Sequence, residues 1–249
     1  MKTALRRLTL HLALWITGTG CVEPPEQAAQ RAVRAAARFE LSSSVSPDYS
    51  DPLGGRAQLA ADLRAWSVRY TKLELELGPE PRTQWGDTRR SATVELPYTG
   101  SWHGDEPWLI EGVAHIDVTL GWATRARSGV FVAARDLMAL FDGIRKAGSP
   151  SAAMTFIHPN YSDGVDRFDD LEARWEEGQI HPFGVPYHEA ARVRLQQARA
   201  SVGEDWTDLA LHLRLPGPTG PRPSTLRIQL RPSAGRLLIS RGLRPPILD

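Results

Sequence analysis

The chain has 249 residues, with 30 Lys and Arg against 29 Asp and Glu and a formal net charge of +1. A nucleic-acid partner would want a clear basic excess, so none is expected. The single Cys excludes an internal disulfide, and a hydrophobic content of 41 % is enough for a core.

Residues 1–20 have the layout of a secretory signal. Lys2, Arg6 and Arg7 make a positive start, Leu8 to Ile16 is mostly apolar, and Thr17 to Gly20 are small. The apolar run is shorter than the ~20 residues of a membrane span. Thr19-Gly20-Cys21 resembles a bacterial lipobox, with Gly18 standing where Leu is usual. The resemblance implies cleavage before Cys21 and a lipid on its sulfur, with residues 21–25 as an anchor linker. Val22 rather than Asp follows the cysteine. By resemblance to lipoprotein sorting in Gram-negative cells, that places the chain on the periplasmic side of the outer membrane. Loss of residues 1–20 removes Lys2, Arg6 and Arg7 and no acid, leaving a slightly acidic protein.

The remainder repeats itself. Pro47-Asp48-Tyr49-Ser50-Asp51 recurs as Pro159-Asn160-Tyr161-Ser162-Asp163. Asp62-Leu63 before Trp66 recurs as Asp170-Leu171 before Trp175, and Gly86-Asp87 recurs as Gly203-Glu204-Asp205. Three matches in order point to duplication, and two copies are too few for a solenoid. The expected domains are 26–135 and 136–249.

Each copy is predicted to open with a helix, about 26–41 and 136–146. Leu137, Leu140, Phe141 and Ile144 give the second its apolar stripe. A turn at the Tyr-x-Asp motif and a short helix follow, over 57–66 and 168–176. Alternating residues then predict strands over 73–77, 93–98, 113–122 and 128–134. In the second copy they fall over 192–198, 206–215, 225–231 and 236–240.

Helices first, a Tyr-x-Asp motif carried by Pro47, Tyr49 and Asp51 and by Pro159, Tyr161 and Asp163, and then antiparallel strands: this order resembles the nuclear transport factor 2-like superfamily. The family includes ketosteroid isomerase-like and polyketide cyclase-like proteins. The resemblance implies an α+β chain of two tandem cone-shaped domains, each with N-terminal helices packed on a curved antiparallel sheet. It implies a conical cavity but no single activity.

Tyr49, Asp51, Tyr161 and Asp163 are the candidate ligand-binding residues. An Asp in an apolar cone could shuttle protons, while the structural alternative is an Asp that turns the chain with Tyr packed beside it. Trp102 and Trp108 fall in the loop between two strands of the first copy and are the candidate exposed, partner-binding pair. His115, Asp117, His212 and Arg214 fall on the outward strand faces, which counts against catalysis. His188-Glu189-Ala190-Ala191-Arg192 lacks the second His of a zinc protease. No metal, cofactor or catalytic residue is expected.

Strand parity also separates charge. Glu74, Glu76, Glu95 and Asp117 face outward in the first copy, and Arg192, Arg194, Arg214, Arg227 and Arg231 in the second. The expectation is an intramolecular pseudo-dimer pairing these faces. The functional expectation is a lipid-anchored envelope protein that binds a protein partner or a small apolar ligand without chemistry. The alternatives are an isomerase, dehydratase or cyclase with Asp51 or Asp163 as base, and a structural scaffold in an envelope complex.

Overall fold

A computed structural model describes residues 23–88 and 90–243. Helix α1 (Pro25–Ala36) starts on a proline, whose fixed φ suits the first helical turn. Its buried face is made of Ala28, Ala29, Ala32, Val33 and Ala36, so it lies close against the sheet. It stops short of the expected Leu41, and Phe39, at φ 59°, turns the chain out.

The first half continues with β1 (Val45–Asp51), β2 (Gly54–Gly55), α2 (Arg56–Arg69), β3 (Tyr70–Leu77), β4 (Arg82–Trp85), β5 (Ser91–Gly104), β6 (Trp108–Thr119) and β7 (Trp122–Ser128). The second half has α3 (Val130–Lys146), α4 (Pro150–Met154), α5 (Phe168–Gly178), a 3₁₀ turn at Tyr187–Arg192, β8 (Arg194–Val202), β9 (Thr207–Leu215), β10 (Arg222–Ser233) and β11 (Arg236–Arg241). The architecture is α+β, with helices packed on a largely antiparallel sheet.

Two local expectations are corrected. The Pro47–Asp51 segment is strand rather than turn, because β1 pairs in parallel with β7. Residues 130–134 open a helix rather than closing the first copy as a strand. Val130, Phe131 and Val132 look β-like locally, but Val130, Ala133, Ala134, Leu137, Phe141 and Ile144 bury as one helical face. The expected boundary between residues 135 and 136 therefore falls inside α3.

The halves share an order of elements. In each, a helix, a Tyr-x-Asp segment and a second helix precede four antiparallel strands in succession: β3, β5, β6 and β7, then β8, β9, β10 and β11. Even the parallel β1–β7 pairing has a counterpart, the parallel bridge of Ile157 with Ile239.

The halves meet along an edge. Trp108–Gly112 of β6 pairs in parallel with Ala198–Val202 of β8, which joins the strands into one 11-stranded sheet. At this seam a Cβ on Gly112 would sit 2.8 Å from the Val202 carbonyl oxygen. A ring of charges locks the helices over the seam. Arg69 of α2 pairs with Glu106 of the β5–β6 turn and with Asp142, and Arg145 pairs with both acids at 2.6 and 2.8 Å.

The outward charge pattern exists, but it does not join the halves. Glu74 and Glu76 are exposed, as are Arg194, Arg214, Arg227 and Arg231. These faces belong to one continuous sheet. Among the described residues, Glu74 pairs with Lys72 and His103, Asp117 pairs with Arg127, and no ion pair links the acidic set to those arginines.

Candidate functional site

The interior of the first half lies between α1, α3 and the inner faces of β6 and β7. Strand alternation aims Ala114, Ile116, Ala123 and Ala126 inward, and α1 supplies Ala32, Val33 and Ala36. These residues, with Val45, Tyr49 and Leu59, enclose an apolar cavity of only about 50 Å³. That is room for a few water molecules, whereas small-molecule sites run to about 300–1,000 Å³. In the second half, Leu171, Trp175, Leu211 and Leu230 are buried in the core.

Tyr49 reaches this cavity, but Asp51 beside it is fully engaged. Asp51 Oδ1 accepts the Leu53 N–H at 2.8 Å. Its Oδ2 accepts the Tyr49 hydroxyl at 3.1 Å and Arg135 Nη1 at 2.7 Å. Arg135 also pairs with Asp62 and donates to the Leu53 carbonyl. Burial, reinforced by the Asp51 charge, drives the Tyr49 hydroxyl far above its ordinary pKa, so it stays a donor. A carboxylate with both oxygens occupied and a buried guanidinium beside it is poorly placed to act as a base.

The second copy reproduces the local pattern. The Tyr161 hydroxyl donates to Asp163 Oδ2 at 3.2 Å, and Asp163 Oδ1 accepts the N–H groups of Val165 and Asp166 at 3.0 and 2.8 Å. Tyr161 is pushed up to about 12 by burial, and its oxygen accepts the Leu243 N–H. In both copies the Asp side chain turns the backbone, as short acidic residues often do.

Trp102 and Trp108 are not on the surface. They are 0 % and 1 % exposed and lie opposite each other on β5 and β6. The segment expected to be a long loop is mostly strand, and even-numbered residues from 92 to 102 all face inward. Trp102 meets Trp66 edge-on at 5.9 Å, and Trp108 meets Phe141 at 6.3 Å. Both indoles are core anchors on which α2 and α3 rest.

The outward histidines sit among polar neighbours: His115 contacts Ser128 at 2.9 Å, and His212 contacts Thr225 at 3.1 Å. His181 is the buried one. Its Nε2–H donates to the Ile144 carbonyl at 2.7 Å, and Nδ1 accepts the Phe183 N–H at 3.1 Å. Burial lowers its pKa to about 4, so it is neutral. Among the described residues no group of His, Cys, Asp and Glu is arranged to hold a metal ion. Cys21 lies outside the described residues.

The sequence does not mark Arg135, because the predicted helix starts at residue 136. The one available signal was an Arg following Ala133 and Ala134 at the start of a strongly apolar helix.

No protein-family model and no curated protein matches the chain. Among solved structures it is similar to a nuclear transport factor 2-like protein of unknown function from Shewanella oneidensis MR-1. The identity is 13 % and the TM-score 0.34, over 44 % of this chain and 95 % of that one. It is also similar to a candidate polyketide cyclase from Xanthomonas campestris pv. campestris, at 18 % identity and TM-score 0.31, over 41 % and 87 % of the two chains. A nuclear transport factor 2-like protein involved in plasmid conjugation matches at 7 % identity and TM-score 0.30, over 78 % and 85 %.

Proposed function

We propose that the protein is a lipid-anchored module of the bacterial cell envelope. Its two nuclear transport factor 2-like halves would engage a protein partner through their outer surface and do no chemistry inside. The observation that carries this reading is the small apolar interior of the first half, about 50 Å³, beside an Asp51 whose oxygens are both taken. Of the two occupants open from the sequence, that volume counts against a small apolar ligand inside the first half and favours a protein there. The signal-like segment ending at Cys21 and the absence of Asp after it support anchoring on the periplasmic side of the outer membrane.

The anchor is tested by fractionating cells that express the full chain with Cys21 or with Cys21→Ser. The reading predicts that the wild type is recovered in outer membranes and that C21S is released in soluble form. Equal membrane retention of both would contradict it. Cross-linking on intact cells tests the partner. A discrete cross-linked protein is expected, and a chain that cross-links to nothing would contradict it.

A further inference from the structure

At one end of the sheet three large apolar side chains stand in solvent: Trp85 at 57 %, Leu120 at 53 % and Trp122 at 45 % exposure. Strand register places them at the same end of the sheet, Trp85 in the cross-strand row of Ala92 and Val118 on one face and Trp122 in the next row on the other face. Trp85 pairs with Ala92, Ala92 with Val118, and Thr119 with Trp122 across the hairpin whose tip is Leu120-Gly121. The Leu120 N–H donates to the Arg90 carbonyl at 2.8 Å, tying the tip to the loop that follows β4.

This end is also where the described chain begins. A Cβ on Gly121 would lie 3.6 Å from Glu23, two residues beyond Cys21. Glu23, Pro24, Pro25 and Glu26 share a cleft of about 310 Å³ with Trp85, Arg90 and Leu120.

The hairpin tip carries a second, independent signal. Leu120 and Gly121 have φ of 51° and 79°. Two positive φ values are the mark of the tight hairpin turn that favours Asn-Gly, and a leucine at the first position is sterically strained there. A strained residue that is also apolar and exposed serves neither the turn nor the core. The β10–β11 hairpin has the same pair of φ values at Ala234 and Gly235, so what sets the β6–β7 tip apart is the exposed leucine it carries.

We infer that this end of the sheet rests on the lipid surface, with Trp85, Leu120 and Trp122 entering the headgroup region. Indole rings favour that depth. This rests on the lipid-anchor reading, because a lipid on Cys21 would hold residue 23, and the hairpin touching it, at the bilayer. The contact would fix the orientation of the module and leave the Arg-rich outer face of β8 to β10 free.

The test uses the full chain purified from membranes and reconstituted in phosphatidylethanolamine–phosphatidylglycerol vesicles with brominated acyl chains, reading tryptophan emission. The proposal predicts quenching in the wild type and a loss of more than half of that quenching in W85F/W122F. W206F is the control, since Trp206 lies beside Ser128, at the other end of β7 from Trp122; its quenching should be unchanged. Equal quenching in wild type and W85F/W122F, or no quenching in either, would overturn the proposal. Circular dichroism of each variant checks the fold, and protection of the Leu120 hairpin from hydrogen exchange on vesicles is a mutation-free readout of the same contact. The mass of the N-terminal peptide decides the anchor separately. A chain without lipid at Cys21 sinks the anchor reading, while the quenching difference still decides the surface.

Discussion

Arg135 Nη1 lies 2.7 Å from Asp51 Oδ2, with side chains 6 % and 0 % exposed, so a charge from α3 neutralises the buried carboxylate at the end of β1. The two residues are 84 positions apart in the chain, one ending β1 and the other in the second turn of α3. Removal of one partner leaves the other charged and buried, which costs about 3–5 kcal/mol. Arg135→Met should therefore lower stability by that order, and Arg135→Met with Asp51→Asn should recover part of the loss. Urea unfolding of the wild type, Arg135→Met, Asp51→Asn and the double variant gives the coupling directly. Full additivity would show that the pair does not interact as described.

Trp102 and Trp85 make a matched comparison of inside and outside. Trp102→Ala removes a core anchor and should cost about 3–5 kcal/mol. Trp85→Ala removes an exposed ring and should change stability by less than about 0.5 kcal/mol. Similar losses for both would mean that the inward parity of β5 is misassigned.

His181 makes stability depend on pH. Its folded pKa is lowered from 6.5 to about 4 by burial. Between those values the unfolded chain holds the extra proton, so its contribution is complete above about pH 6.5 and is lost as pH falls to about 4. The loss is on the order of 3 kcal/mol. His181→Gln should be less stable at neutral pH and show a shallower decline on acidification. A decline of the same slope in both proteins would remove His181 as its cause.

Much of the fold was legible in the sequence because strand alternation is a strong signal. Leu73 to Leu77 and Leu209 to Leu215 were read correctly, and the repeated Tyr-x-Asp motif led to two local geometries that match within 0.2 Å in their hydrogen bonds. What failed was what depends on distant partners. The Pro47–Asp51 segment becomes a strand only because β7 lies beside it. Gly104 to Pro107 signals a turn and predicts a loop around Trp102 and Trp108, whereas cross-strand pairing carries β5 and β6 right up to both. The edge-to-edge seam of β6 with β8 has no local signature beyond Gly112.

Gly112 tests that seam. It faces Tyr98 on one side and Val202 on the other. A methyl group there would sit 2.8 Å from the Val202 carbonyl oxygen, so strands must separate to admit it. Gly112→Ala should cost about 1–3 kcal/mol and increase hydrogen exchange of the Val202 segment. Wild-type stability and exchange in the variant would mean that the two halves are not joined at this point.

The most direct measurement of the central claim is native mass spectrometry of the full chain released from its own outer membranes. The account predicts a chain carrying lipid at Cys21, no retained small molecule, and a co-purifying protein. A stoichiometric small molecule held in the interior of the first half would contradict it, because that half encloses only about 50 Å³ and could accept such a ligand only by opening.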